Sequence, residues 1–195
     1  MRKWIIPLVI VGILVILSIS SYNSLVALRA DAKTAWSNVE SSYQRRNDLI
    51  GNLVKTVQGA ADFERGTLSD VIEARSRATS VTVDPANITP EQLAQFQQAQ
   101  NNVSGALSRL LVTVERYPDL KANQNFLALQ SQIEGTENRI NVARDRYNEA
   151  VNVYDKKKHS FPNVLFAGLF GFDDMARFKS DEGAERAPEV QFDFK

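Results

Sequence analysis

The sequence predicts an all-α protein: an N-terminal transmembrane helix continuing into an elongated, antiparallel, up-and-down four-helix-type bundle. Three observations predict it. An uncharged apolar run, Trp4 to Ile19, stands behind Arg2 and Lys3. Beyond it, apolar residues recur at three- and four-residue steps, the period of a helix with one buried face. No stretch of that region alternates with period two, as a half-buried strand would.

Trp4 to Tyr22 as a helix is about 27 Å long at ~1.5 Å per residue, near the roughly 30 Å of a bilayer's hydrocarbon core. Trp4 and Tyr22 then fall at the two interfaces, where amphipathic rings prefer to sit, and are the expected membrane-interface anchors. Pro7 lies in the first turn, where its missing N–H breaks no helical bond. Arg2 and Lys3 precede the run, and nothing basic follows until Arg29. The positive-inside bias puts the N-terminus in the cytoplasm and the remainder outside, across a bacterial inner membrane. A cleaved signal peptide is the competing reading, since Ser18 and Ser20 are spaced like a cleavage site. Against it, the sequence runs straight into helical pattern with no turn-forming region. A buried core helix is excluded by the run's length and uniform apolarity.

Composition narrows the function classes. The chain has 195 residues, with 23 Lys and Arg against 23 Asp and Glu. That balance argues against nucleic acid as a partner, because phosphate binding needs a basic surplus. There is no cysteine and one histidine, so no disulfide, thiolate zinc site or cofactor is expected.

From Leu25 the apolar positions run Leu25, Leu28, Ala32, Ala35, Val39, with Trp36, Tyr43 and Ile50 as a neighbouring stripe. No Gly or Pro intervenes between Tyr22 and Ile50, so this helix continues directly from the span. Gly51 is an expected kink. Leu53, Val57, Ala61, Leu68, Val71, Ile72 and Ala78 carry a stripe onward, weakened by Gly59 and Gly66. Ser80 to Thr89 breaks the pattern with Asp84-Pro85 and Thr89-Pro90. Thr89 is an N-cap, with Pro90 at the first helical position and Gln92 completing a capping box.

The next helix carries the seam Leu93, Phe96, Gln100, Val103, Leu107, Leu110, Val114, Tyr117, and Pro118 ends it. A last long helix starts between Asp119 and Asn123. Its seam is Phe126, Leu129, Ile133, Thr136, Ile140, Ala143, Tyr147, Ala150, Tyr154. Lys156, Lys157, Lys158 and His159 suit the negative end of its dipole. The expected division is therefore 1–3 cytoplasmic, 4–22 transmembrane, 23–160 helical bundle, and 161–195 an apolar Gly/Phe segment with an extended C-terminal tail.

Several stretches resemble the LemA family of bacterial single-pass membrane proteins. They are YNSLVALR from Tyr22, AWSNVE from Ala35, RRNDLIGNLV from Arg45, and the long VERYPDLKANQNFLALQSQIEGTENRINVARDRYNEAV from Val114 to Val151. FP at Phe161 and FGF at Phe170 match as well, so the resemblance covers most of Tyr22 to Phe172. It implies a short N-terminal segment, one span and a bundle of long antiparallel helices, and it brings no catalytic residues. Two departures stand out. Gly51 replaces a usual proline, and Phe63 replaces a common histidine, which removes a metal site at Phe63-Glu64.

The charges that interrupt the helical stripes are Arg45, Arg46 and Asp48, then Glu64 and Arg75, then Glu115 and Arg116, then Glu137 and Arg139. Arg45, Asp48, Glu64, Arg75, Glu115, Glu137 and Arg139 are read as structural ion pairs that fix helix register. A charged catalytic site among Glu64, Arg75 and Glu137 is the weaker reading, since no nucleophile, base and orienter can be assembled. His159 is read as a helix C-terminal cation. Gly168 to Gly171 lacks the ending of a phosphate loop, and Asp173 with Asp174 do not make a calcium loop.

Asn163 to Phe172 reads as a greasy cap over the bundle's end, or as a contact surface for another copy or for lipid headgroups. Val164, Leu165, Phe166, Leu169, Phe170 and Phe172 are its candidate oligomer or lipid contacts. Val190, Phe192 and Phe194 alternate like a strand that could add to another chain; a terminus without fixed structure fits the same pattern. The expected function is a scaffolding or self-assembling envelope protein without catalysis, with the lipid bilayer and further copies of itself as partners. The alternative is an adaptor or regulator of another membrane protein, such as a protease or signalling system.

Overall fold

The computed structural model describes residues 5–59, 63–85 and 87–179. Six helices follow in order: α1 (Ile5–Gln58), α2 (Arg65–Ser80), α3 (Pro90–Val114), α4 (Pro118–Lys121), α5 (Gln124–Lys158) and α6 (Asn163–Leu169). There is no strand among the described residues.

α1 dominates the molecule. It is one unbroken helix of 54 residues, about 80 Å long at ~1.5 Å per residue. Among the described residues it is the one helix long and apolar enough, by length and composition, to cross a membrane. Its apolar side chains from Ile5 to Ile19 are mostly exposed, and Ser21 is its first buried residue. Sequence and packing therefore change character at the same place, just before Tyr22.

The expected kink at Gly51 is absent: α1 runs through it and stops at Gln58. Gly51 serves packing instead. A Cβ there would meet the Arg75 guanidinium at 3.3 Å, and Arg75 uses that space to donate from Nε to the Asn47 carbonyl at 2.8 Å. Just past the helix end, the Gly59 N–H still reaches the Lys55 carbonyl.

α2 runs back along the distal part of α1, and α3 returns beside α2. The pairs Asp70–Arg109 and Glu64–Arg116 mark their antiparallel register. α3 starts as expected. Thr89 Oγ1 accepts from Gln92 N at 3.2 Å, and Thr89 N donates to Gln92 Oε1 at 3.3 Å. α5 is capped by Asn123, whose Oδ1 accepts from Asn125 N and Phe126 N. It then runs antiparallel to α1 from the distal end to the level of Ser21, as the pairs Arg46–Glu137 and Ser21–Asn163 show.

α2 covers the distal part of the α1–α5 pair, and α3 reaches the core nearer the span only with Leu93 and Phe96 at its N-terminal end. Nearer the span a third face of that pair needs covering, and an extended strap does it. The chain turns at Gly171, at φ +69°, a conformation glycine adopts freely. Residues 172–179 then lie along α5 and bury Phe172, Met175, Ala176 and Phe178. Phe178 stacks on Trp36 at 5.9 Å and meets Tyr147 edge-on at 5.7 Å. Asn148 brackets it twice, donating to the Phe178 carbonyl and accepting from its N–H. Tyr147 and Tyr154 donate to the Ala176 and Asp173 carbonyls. Ordering an extended residue costs about 1–2 kcal/mol, so a segment of this length needs this many anchors. The core of the bundle thus includes residues beyond 160.

Candidate functional site

Two apolar cores stack along the rod. The one nearer the span holds Leu25, Trp36, Tyr43, Phe96, Ile140, Tyr147 and Tyr154. The distal one holds Ile50, Leu53, Val71, Val103, Leu110, Phe126 and Ile133. Between them lies a layer of buried polar side chains: Arg46, Asn47, Gln100 and Thr136.

Arg46 is its centre, 2% exposed. Its Nη1 donates to Glu137 Oε1 on α5 at 2.9 Å and to Ser104 Oγ on α3 at 3.2 Å. Its Nη2 donates to the Gln100 side-chain and main-chain oxygens. Its guanidinium carbon lies 4.9 Å from the centre of the Tyr43 ring, in cation–π range. One residue on, the Asn47 carbonyl takes the Arg75 bond from α2. At this one level α1 is therefore tied to α2, α3 and α5. The layer is a brace: its donors end on structural acceptors. Arg46 Nε and Asn47 Oδ1 are buried without a protein partner among the described residues, which costs stability.

The expected ion-pair residues divide. Glu137 joins the brace, but with Arg46 and not with Arg45. Arg45, Asp48 and Arg139 are exposed and make no ion pair among the described residues; Asp48 accepts from Gln44 one turn away. The reason is angular. Successive helical residues point about 100° apart, so Arg45 faces water while Arg46 faces the seam. Arg75 binds a backbone carbonyl, not a carboxylate. Glu64 pairs with Arg116 at 3.0 Å, and Glu115 pairs with Lys121. Phe63 is buried and packs on Tyr117 with ring centres 4.9 Å apart. Glu64, Arg75 and Glu137 therefore each have a separate partner.

A cleft of about 700 Å³ carries Glu40, Arg45 and Asp48 along α1, with no imidazole on its walls. No group of three His, Cys, Asp or Glu side chains among the described residues could hold a metal ion. His159 Nδ1 donates to the Asp155 carbonyl at 2.8 Å, and its Nε2 lies 3.5 Å from Asp174. Lys158 binds the same Asp174 carboxylate at 2.7 Å, and this bond holds its pKa below the ordinary value.

A second cluster forms where α1 leaves its exposed run. Ser21 Oγ donates to Asn163 Oδ1 at 2.5 Å, and the Tyr22 ring meets Phe170 and Phe172 edge-on at 5.2 and 5.7 Å. α6 turns Asn163 and Ala167 inward, while Val164, Leu165, Leu169 and Phe170 stay exposed and Phe166 is half-buried. The segment thus has one face turned to the bundle and one left exposed. Trp4, Val190, Phe192 and Phe194 lie outside the described residues. Sequence reasoning named Arg46 among the interrupting charges without telling it apart from Arg45 and Asp48, and it missed the strap. The signal for the strap was the Met175–Phe178 spacing, obscured by the charges around it.

The LemA family model matches residues 35–192. That range starts after the YNSLVALR stretch and extends past Phe172. The magnetosome proteins MamQ 1 and MamQ 2 of Paramagnetospirillum magneticum (strain ATCC 700264 / AMB-1) are each 26% identical over 175 residues. The match covers 81% of this chain and 64% of those proteins, so the chain spans less than two thirds of their length. Protein LemA of Metamycoplasma hominis (strain ATCC 23114 / DSM 25592 / NBRC 14850 / NCTC 10111 / PG21) is 24% identical over 172 residues, 88% of this chain and 75% of that one.

Proposed function

The chain belongs to the LemA family, and from that premise we propose that this membrane-associated helical protein is a rigid strut. Its role is structural: it scaffolds the bacterial envelope, assembles with further copies of itself and performs no catalysis. The N-terminus lies in the cytoplasm and the bundle outside it, because Arg2 and Lys3 flank the span on one side only.

One observation carries the reading. α1 is both the exposed apolar run and the longest helix of the bundle, with no break between them. A domain that merely floats near a membrane needs a linker; here a helix transmits orientation from lipid to the distal end. The brace around Arg46 supports the same view, since its charges are spent on locking four helices in register. The MamQ relatives are named for the magnetosome and not for a reaction.

The test is mass measurement of the full-length protein in detergent and in native-lipid particles. Multiples of the 21.8 kDa chain that grow with concentration support self-assembly. A monomer at every concentration, with and without Val190 to Lys195, overturns it. Crosslinking that recovers only a different membrane protein replaces the scaffold by an adaptor.

A further inference from the structure

We infer that α6 is a second membrane contact: a short helix seated in the headgroup–acyl boundary of the same bilayer, beside the point where α1 emerges. The inference rests on the reading of α1 as a span, and adds to it a surface that fixes the bundle's depth and rotation.

The placement comes from three contacts. Ser21 holds Asn163, and Tyr22 holds Phe170 and Phe172. These are the residues at which the exposed apolar stretch of α1 gives way to the packed bundle. α6 is therefore level with the end of the span, and not somewhere along the stalk. Its outward face is apolar. Leu165 is 64% exposed and Leu169 77%, one turn apart on α6, and Phe161, just before the helix, is 81% exposed. That face is continuous with the exposed apolar surface of α1, which a bilayer would cover.

Charge argues for lipid over a second copy. Lys156 and Lys157 are exposed at the C-terminal end of α5, immediately before α6. Lys158 is engaged by Asp174 and Arg177 by Asp155, which leaves Lys156 and Lys157 against one further exposed carboxylate, Asp173. The two outward ammonium groups border the apolar face as the basic rim of an interfacial helix does, next to anionic phospholipid headgroups. An identical protomer would bring the same ammonium groups against them.

The absence of native cysteine permits a direct test on the full chain. Single substitutions Leu14→Cys, Leu165→Cys, Leu169→Cys and Val112→Cys, all at exposed sites, are spin-labelled. The protein is reconstituted in vesicles of phosphatidylcholine with phosphatidylglycerol. Collision rates with oxygen, which concentrates in lipid, are compared with those for a polar nickel chelate. The expected result is oxygen over nickel at Leu14, Leu165 and Leu169, and nickel over oxygen at Val112. The contrast at Leu165 and Leu169 should weaken when phosphatidylglycerol is omitted.

Leu14 in lipid with Leu165 and Leu169 in water overturns the inference and leaves the anchor standing. Leu165 and Leu169 shielded from both reagents, with spin–spin broadening between chains, overturns it in favour of a second copy. Leu14 itself in water overturns the anchor and the inference together.

Discussion

Arg46 on α1 and Glu137 on α5 meet at 2.9 Å at the level where the two apolar cores of the bundle abut. Arg46 is 2% exposed and Glu137 is 38% exposed. The pair is thus wet on one side and dry on the other. This asymmetry decides how each partner should respond to replacement.

Glu137→Ala leaves Arg46 with Ser104, Gln100 and Tyr43, and with water able to reach the vacated side. The expected loss is about 1–2 kcal/mol, below the ~3–5 kcal/mol of stranding a fully buried charge. Arg46→Ala removes every tie from α1 to α3 and α5 at this level, and should cost about 3 kcal/mol or more. Replacing Arg46, Gln100 and Glu137 together by Met, Leu and Leu should be neutral or stabilising, because no polar group of the trio stays buried. Urea unfolding of the full-length protein in detergent, followed by circular dichroism, ranks the three. A triple variant less stable than Arg46→Ala would mean the layer contributes net stability and not only register.

The Gly51–Arg75 contact gives a prediction whose sign reverses with background. Gly→Ala inside a helix normally stabilises by ~1 kcal/mol. At Gly51 the new methyl would sit 3.3 Å from the Arg75 guanidinium and push its Nε away from the Asn47 carbonyl. Gly51→Ala should therefore be neutral or destabilising in the native background. In an Arg75→Ala background it should stabilise by up to ~1 kcal/mol. A double-mutant cycle by thermal unfolding reads the difference as the coupling between the two sites. Additive effects would mean Arg75 moves aside without loss.

These two sites show what periodicity conveys and what it omits. The seams of α3 and α5 were legible because each buried residue lies three or four positions from the next, and burial repeats at that step. Thr89 was legible because capping is a local event within four residues. Arg46 was named among the interrupting charges but not told apart from its neighbours, because it sits inside a run of polar residues, Gln44 to Asp48, where only rotation about the helix tells inward from outward. Gly51 misled because glycine signals a kink and a close approach by the same missing side chain. The strap was illegible for a different reason. Its anchors pair with α1 and α5 residues far away in sequence, and an extended segment lying on helices has no partner strand to impose alternation.

Phe178 is the anchor on which the strap's lower half depends. Phe178→Ala removes the stack on Trp36 and the contact with Arg144, whose guanidinium lies 4.7 Å from the ring centre. A loss of about 3 kcal/mol is expected, at the low end for a buried phenylalanine because the strap can peel away. Asn148→Ala should lose about 1–3 kcal/mol, having stranded the Phe178 main-chain groups. Hydrogen exchange should show faster turnover of the Ala176 and Phe178 amides in both variants, with α3 unchanged. Faster exchange throughout the bundle would make the strap part of one cooperative unit.

The strap should also respond to pH, from both ends. Burial pushes the Tyr154 hydroxyl up to about 12 and raises that of Tyr147 further. A raised folded-state pKa means the unfolded chain loses its protons first. The stabilisation is complete below the unfolded value of 10.0 and fades as pH climbs through the folded one. Tyrosinate absorbance from Tyr154 should therefore rise only as the strap detaches. Asp174 has the opposite sign. Lys158 lowers its pKa below 3.8, so its contribution is present above that value and is lost as pH falls through the lower folded one. Lys158→Met should shrink the acid-side change, leaving the smaller part due to His159 and Arg177, and should not alter the alkaline one.

The strut itself can be cut at two places with different consequences. Ser20 is exposed and lies just before Ser21, the first buried residue of α1. Ala30 is exposed within the stretch that α5 accompanies. Proline at either site removes one helical hydrogen bond and clashes with the preceding turn, at about 3 kcal/mol. At Ala30 the antiparallel α5 bridges the break, so the cost should appear in stability. At Ser20 the neighbouring helix is the short α6, held through Ser21 and Asn163, so the cost should appear mainly as a hinge. Spin labels at Leu14→Cys and Val112→Cys read this directly in lipid particles. The distance distribution should broaden strongly with Ser20→Pro and little with Ala30→Pro, while unfolding shifts mainly in the second. If Ser20→Pro leaves the distribution narrow, α6 rather than the continuity of α1 holds the bundle to the membrane, and the helix is dispensable as a rigid coupler.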